Sequence, residues 1–442
     1  MSSTTPAASP LARALVRFAP VEAREAPVVI AAFCLFFCFW AGYFTVRPVR
    51  ETVGTIIGRE RTADLWMVTW AASLIIVPLY GVIVARVRRT VFLPLTYGFV
   101  GLVLALVGLA LRGDQLNVLV GQIFYVFISV LNLFLISMFW SFLLELLDSQ
   151  QAKRLFPVIA AGGTAGAFLA PFATDILVKQ IGNSGVLFVG ASLFFLAIVA
   201  QRVLLRLWHE RPVREAAATP EKPIGGNPFA GFTLVLRSPY LLGIALFVVL
   251  LSTVSTLLYF EQLRLVQEAF SDPAERTRIF ARLDWIVNGL AIVSQLFITG
   301  RVAKKFGVTP LITLVPLALV FGFLALAATG TLTVLMVVFV LRRATEYAFV
   351  RPGREMLYSP LDNETRYKAK NVNDVPVYRG ADALSAQVSN ALSAGGAGAS
   401  VAALLGAAVA AVWGLVGWWL GRRVASGRVG PGREAQQQAQ SG

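Results

Sequence analysis

The sequence predicts an all-α integral membrane protein of about twelve transmembrane helices arranged as two six-helix halves. Three observations predict it. Of the 442 residues, 57% are hydrophobic and only 14% charged, with a mean hydropathy of +0.71, whereas a water-soluble chain of this length carries about a quarter charged residues. The apolar residues collect into runs near 28–46, 65–85, 91–111, 116–146, 156–178, 184–205, 240–262, 281–300, 308–328, 331–350, 378–396 and 400–421. Each is close to the roughly 20 residues that a helical crossing of a ~30 Å hydrocarbon layer takes. The one long interior stretch between runs that is rich in breakers and charge, 207–238, holds Pro212, Pro220, Pro223, Gly225, Gly226 and Pro228 among Arg206, Arg211, Arg214 and Lys222, and it divides the runs six and six.

The first run follows Arg13, Arg17 and Arg24. It is too long for a signal-peptide core and ends in charge with no small-residue cleavage site, so it reads as an uncleaved helix. It also contains both cysteines, Cys34 and Cys38, which leaves no disulfide framework and no thiolate metal site. The run at 116–146 is too short for two helices and reads as one tilted crossing. The stretch 376–421 is too long for one, and Gly395, Gly396 and Gly398 break it into two. The expected organisation is a half over 1–206, a linker over 207–238, a second half over 239–423 and a polar tail over 424–442.

Orientation follows from basic residues, which accumulate in cytoplasmic loops. With the N-terminus inside, about three-quarters of the 39 Lys and Arg fall on the inner side. The largest outer groups, Arg47 to Arg61 and Arg264 to Arg282, are interleaved with Glu51, Glu60, Asp64, Glu268, Asp272 and Glu275. Both termini are therefore predicted cytoplasmic. The net charge of +15 and the isoelectric point near 10.3 become mainly matters of topology, and no nucleic-acid partner is expected.

One constant shift brings Tyr43-Phe44 onto Tyr259-Phe260, Arg88-Arg89 onto Lys304-Lys305 and Pro94 onto Pro310. These pairs fall at equivalent places in the two halves and support duplication. Parallel six-helix repeats around a site near the bilayer midplane are a transporter architecture.

Ionisable side chains in hydrocarbon cost a few kcal/mol and normally face a bundle interior or a water-filled cavity, so they are the site candidates. Crossing 1 places Tyr43, Arg47 and Arg50 on one face, with Pro48 expected to bend or end the helix. The two arginines either line a cavity or snorkel to the outer surface. Crossing 8 carries Asp284, Asn288 and Gln295 as a polar stripe that faces either a cavity or a neighbouring helix. Crossing 11 carries Arg379, Asp382 and Asn390, of which the first two could pair with each other. On crossing 10, two adjacent arginines cannot both face lipid. Arg343, Glu346 and Tyr347 share a face assigned to the cavity, and Arg342 is left to a neighbouring helix or the inner surface. Crossing 4 offers Tyr125, Ser129, Asn132 and Trp140, and Glu145 belongs to an inner gate or to a helix-end ion pair with Lys153 or Arg154. Glu261 and Arg264 end crossing 7 as an outer pair or a substrate contact. Gly162, Gly163 and Gly166 on crossing 5 have the spacing that lets helices approach closely. There is no Walker A loop, HExxH or GxSxG, so no enzyme activity, cofactor or metal is expected.

Three stretches carry a family resemblance: Arg47-Pro48-Val49-Arg50-Glu51, Met138-Phe139-Trp140-Ser141-Phe142, and Ala344-Thr345-Glu346-Tyr347 running on through Arg354-Glu355-Met356-Leu357-Tyr358-Ser359-Pro360-Leu361-Asp362 to Tyr367-Lys368-Ala369-Lys370. They resemble the ATP/ADP translocases, the nucleotide carriers of plastids and intracellular bacteria related to the major facilitator superfamily. The resemblance implies alternating access and an anionic, nucleotide-like substrate in a basic cavity, in a protein of the bacterial inner membrane. The family's lysine in crossing 1 falls on Arg50. Its lysine after crossing 10 falls on Lys370 or Lys368, and where it carries a basic residue near 346 this chain has Glu346.

The expectation is thus a monomeric secondary transporter for a small anionic solute, working by exchange or by proton symport. Arg47, Arg50, Arg343 and Arg379 would attract the anion. Tyr43, Asn132, Trp140, Asn288 and Tyr347 would orient it. Asp284, Glu346 and Asp382 would balance charge or carry a proton, and Glu145, Lys153, Arg154, Lys368 and Lys370 would gate. The alternative from a different class is a non-transporting membrane scaffold or sensor with basic docking loops.

Overall fold

The computed structural model describes residues 20–86, 89–112, 117–209, 230–396 and 398–427, all helix and connecting turns. Arg13, Arg17, Arg88, the greater part of the expected linker and most of the expected tail lie outside the described residues. The helices are α1 (Ala26–Ile57), α2 (Arg59–Arg86), α3 (Arg89–Ala110), α4 (Val118–Leu146), α5 (Ser149–His209), α6 (Ala230–Arg237), α7 (Pro239–Ala269), α8 (Pro273–Ser294), α9 (Gly300–Phe306), α10 (Val308–Thr329), α11 (Leu332–Thr345), α12 (Arg351–Leu357), α13 (Asn363–Val372), α14 (Tyr378–Ala394) and α15 (Ala399–Ala425). In hydrocarbon the backbone must satisfy its own hydrogen bonds, which is why apolar runs of this length fold as uninterrupted helices.

Local chemistry sets the boundaries. The Asn117 side chain accepts from the Leu119 amide at 2.9 Å and opens α4, which continues unbroken as the single long helix expected. The Ser238 hydroxyl accepts from Leu241 at 3.4 Å and Pro239 follows it, a favoured start for α7. Within α5 only Gly182 is non-helical, at φ 66°, and there the expected fifth and sixth crossings part. Gly396, at φ 76°, separates α14 from α15 as expected.

Among the described residues, eight helices are long and apolar enough to cross a membrane by length and composition. One of these is the double helix α5, and another continues from α8 through α9. The remaining expected crossings fall on α2, α11 and α14. The first crossing was placed too short. α1 continues past 46 to Ile57 with Pro48 inside it, so proline does not end the helix and Arg47, Arg50 and Glu51 are all helical.

The described chain forms two compact units, neither of them continuous. The first is drawn from Met1–Val53, Ile76–Glu221 and Asp272–Trp285, and the second from Gly54–Ile75, Lys222–Ser271 and Ile286–Gly442. The short segments inserted in each are equivalent: the duplication shift carries 54–75 onto 270–291, which contains 272–285.

In the first unit, α5 lies against α1 through its glycines. A Cβ on Gly162 would stand 2.4 Å from the Phe33 carbonyl oxygen, one on Gly166 2.8 Å from that of Phe37, and one on Gly163 2.3 Å from the Phe36 ring. Close approach is what these glycines supply. In the second unit, α15 packs on α10 in the same manner, with Gly417 facing the Ile312 carbonyl and Gly406 the Phe323 ring. Gly162→Ala is expected to lower stability by about 1–3 kcal/mol, because a backbone carbonyl cannot rotate away as a side chain can. Gly98→Ala, whose Cβ would meet only Ile198 at 3.6 Å, is the control. Thermal melts of both in detergent make the comparison.

Candidate functional site

Each compact unit holds its own cluster of buried charge. In the first unit, Arg47, Arg50 and Glu51 occupy adjacent positions on α1. Arg47 Nη1 donates to Asp284 Oδ1 of α8 at 2.7 Å, and its Nε lies 3.8 Å from Glu51 Oε1. Arg50 donates to Glu51 and, at 3.2 Å, to Ser129 Oγ of α4, with its guanidinium 5.2 Å from the Tyr125 ring centre. Glu51 and Asp284 are 5% and 3% exposed. Two guanidiniums thus face two carboxylates, and the cluster is formally neutral. Both arginines are largely buried, their side chains 18% and 14% exposed, and bonded to groups on α1, α4 and α8.

In the second unit the balance is different. Arg342 of α11 donates to Ser255 of α7 and pairs with Glu346 at 3.2 Å. This is the neighbouring-helix contact expected for it. Arg351 Nε lies 3.5 Å from the other Glu346 oxygen, and the charges of Arg343 and Arg354 also act on Glu346. Two guanidiniums therefore pair with one buried carboxylate and the charges of two more act on it, while Arg354 has its own partner in Asp374 at 3.2 Å. The surplus is positive. Asp382 of α14 accepts from Ser252 Oγ of α7 at 2.5 Å, close to the Arg379 charge.

Helical geometry is loosened at three points of this unit, by single π turns at Gln295–Thr299, Glu346–Val350 and Asn373–Val377. Such turns displace backbone bonds and recur at functional positions. Two of them are joined, because the Gln295 amide donates to the Tyr347 carbonyl at 3.1 Å. Gln295 is thereby a helix-to-helix contact, one of the two roles its stripe left open.

A further ionic cluster in the first unit was not foreseen. Asp175 of α5 receives Arg278 Nε, Arg282 Nε and Trp285 Nε1 of α8, each at 3.1 Å, and Lys179 pairs with Glu275 at 2.6 Å. The signal was present, since Asp175 is an acid inside the run 156–178. Glu51 was missed for another reason: it was grouped with surface charges beyond the supposed helix end.

The other expected site residues take varied places. Trp140 belongs to an aromatic cluster, 4.7 Å from the Phe156 ring and 5.2 Å from that of Phe36. Tyr43 is buried against Trp40 and Phe44. Asn132 and Asn288 are half-buried. Glu145 and Lys153 are exposed. Arg154 pairs with Glu25 through two hydrogen bonds of 2.8 and 2.9 Å and with Glu22 at 3.5 Å, so its partners lie ahead of α1. Burial raises the Glu25 carboxyl, but the bonds from Arg154 and the Glu22 backbone outweigh it and hold the carboxyl below its ordinary range. Lys368 bonds Glu364 at 2.5 Å and Lys370 bonds Glu355 at 2.6 Å, fastening α13 to itself and to α12. Glu261 and Arg264 pair at 2.5 Å, and Glu268 extends the pair.

The family model for the TLC ATP/ADP transporter matches residues 119–422. Among similar proteins, an ADP,ATP carrier protein 1 of Chlamydia muridarum is 24% identical over 432 residues, covering 81% of this chain and 80% of the carrier. An ADP,ATP carrier protein 1 of Chlamydia trachomatis is 27% identical over 298 residues, 58% of this chain and 56% of that one. Solved structures agree in fold. A bacterial homologue of the human lysosomal transporter Spinster superposes with a TM-score of 0.60 at 12% identity, covering 93% of this chain and 100% of the other. A bacterial homologue of the iron transporter ferroportin gives 0.59 at 13% identity, covering 88% and 98%.

Proposed function

The chain belongs to the TLC ATP/ADP transporter family, and from that premise we propose that it is a secondary carrier of a nucleotide-like, phosphorylated anion that works by alternating access. The observation that carries the reading is the surplus of guanidinium charge at the buried Glu346, to which Arg342 and Arg343, themselves buried, contribute. Buried charge is costly and has to be compensated. In the second unit an arriving polyanion would compensate it, while Arg47 and Arg50 of the first unit already have Glu51 and Asp284 and would exchange partners when the solute arrives. A scaffold has no use for such sites, and the carriers among its relatives do not favour that reading.

Twelve crossings follow if α5 counts as two and α2, α11 to α12 and α13 to α14 as one each, dividing six and six about 207–238 with both termini cytoplasmic. In that topology, Asp175 with Arg278, Arg282 and Trp285 lies toward the outer ends of α5 and α8, where a set of ion pairs would hold the outer side shut. The other site assignments made from the sequence, Arg379 and Asp382 included, stand as part of this proposal.

The test is binding by purified protein. ADP and ATP at millimolar concentration should raise the melting midpoint by several degrees, because a ligand that binds only the folded state stabilises it, and proteoliposomes preloaded with ADP should take up labelled ATP. Absence of both responses would reject a nucleotide substrate.

A further inference from the structure

Within the arginine group on α11 and α12, one member differs from the rest. The side chains of Arg342 and Arg354 are 8% and 14% exposed and Arg343 is 5% exposed, whereas the Arg351 side chain is 53% exposed. Arg342 and Arg354 spend their terminal nitrogens on Ser255, Glu346 and Asp374. Arg351 does not. Its Nε is tethered to Glu346 at 3.5 Å, and its guanidinium carbon lies over the Tyr347 ring, 4.3 Å from the centre. Among the described residues neither of its terminal nitrogens has a hydrogen-bond partner. The fork is fixed at one edge and one face, and its donating edge is open.

A guanidinium in this state is prepared for one kind of ligand. Its two terminal N–H groups match the spacing of two oxygens on a phosphate or carboxylate, and stacking on an aromatic ring removes much of the side-chain entropy that binding would otherwise cost. The π turn at Glu346–Val350 adds about one residue to the helical turn between Glu346 and Arg351. That extra residue lets Nε of Arg351 reach Glu346, five positions back, while Tyr347, four positions back, lies under its guanidinium as it would in an ordinary helix.

We propose that Arg351 is a phosphate-recognition residue, its fork held by Tyr347 and Glu346 so that it takes a phosphate group of the transported solute. The inference rests on the carrier reading above and deepens it, adding a contact absent from the residues assigned from the sequence. Tyr347 is then a positioning residue whose ring, rather than its hydroxyl, matters to Arg351.

The test uses full-length protein in detergent, with melting midpoints titrated against ADP, inorganic pyrophosphate and adenosine, and with phosphatidylglycerol as a separate arm. Arg351→Ala should weaken ADP and pyrophosphate at least tenfold and leave any adenosine response unchanged. Arg351→Lys, which keeps the charge but loses the planar fork, should fall between. Tyr347→Leu, which removes the ring under the guanidinium, should resemble Arg351→Ala. Because the Arg351 side chain is half exposed, its variants should melt near the parent without ligand. Unchanged ADP and pyrophosphate affinity in Arg351→Ala overturns the proposal and leaves the nucleotide reading standing. A parent that binds pyrophosphate but not ADP, with the response lost in Arg351→Ala, rejects the nucleotide and keeps Arg351. A response to phosphatidylglycerol alone makes the phosphate a lipid headgroup and overturns the solute assignment.

Discussion

Arg47→Ala is expected to cost about 3–5 kcal/mol of stability and to abolish exchange, through the carboxylates it leaves behind. Asp284 is 3% exposed and takes its 2.7 Å bond from Arg47, and Glu51 shares Arg47 with Arg50. Removing one member of a buried pair strips a carboxylate of its counter-charge, which is why the loss exceeds the net worth of the pair. Arg47→Ala with Asp284→Asn should therefore recover much of the lost stability, while exchange stays low because the guanidinium is gone. Melting curves of the two single variants and the double variant give the coupling between the positions. Additive effects would mean that the contact between α1 and α8 carries little energy. Full exchange by Arg47→Ala would remove Arg47 from the substrate path.

Glu346→Gln should have a comparable effect by the opposite route. Glu346 is the carboxylate on which Arg342, Arg351, Arg343 and Arg354 converge, and Gln keeps its shape without its charge. Arg342, 8% exposed and bonded to Ser255, would lose its counter-charge at 3.2 Å, a loss again of about 3–5 kcal/mol for a buried pair. The added positive potential should make the ligand-free protein less stable and the anion-bound protein relatively more so. The rise in melting midpoint at saturating ADP should accordingly be larger in Glu346→Gln than in the parent. Arg342→Gln with Glu346→Gln should restore part of the ligand-free stability. Glu346→Gln melting like the parent, with an equal response to ADP, would show that this carboxylate does not balance the arginines.

The glycines show how far local sequence reaches. The spacing of Gly162, Gly163 and Gly166 states that a helix may come close, because the lack of a side chain is a property of the residue itself. It does not state which helix arrives, and the Phe33 and Phe37 carbonyls of α1 become the answer only on folding. The glycine break at 395–398 was legible in the same way, since chain flexibility there needs no distant partner. Pro48 could either bend or end the first helix as read locally, because proline's missing N–H is a local fact, whereas the packing that carries α1 on to Ile57 is not.

The sequence by itself determined that the chain lives in lipid, that it folds as long helices, that ionisable groups sit inside several of them, and that it resembles nucleotide carriers. These are matters of composition, run length and motif, and each is complete within a short window. Only the tertiary structure decided which charge answers which. Arg47 finds Asp284 across 237 positions of chain, Asp175 gathers two arginines and a tryptophan about 100 positions away, and Glu346 collects four guanidiniums from two turns of its own helix and beyond. The physical reason is that Coulomb and hydrogen-bond energies depend on distance in space, to within a few tenths of an ångström, and hydropathy along the chain carries no such information. For the same reason Arg351 reads in sequence as one more basic residue at a helix end, and its open fork exists only where the fold ties its Nε to Glu346 and sets its guanidinium over Tyr347.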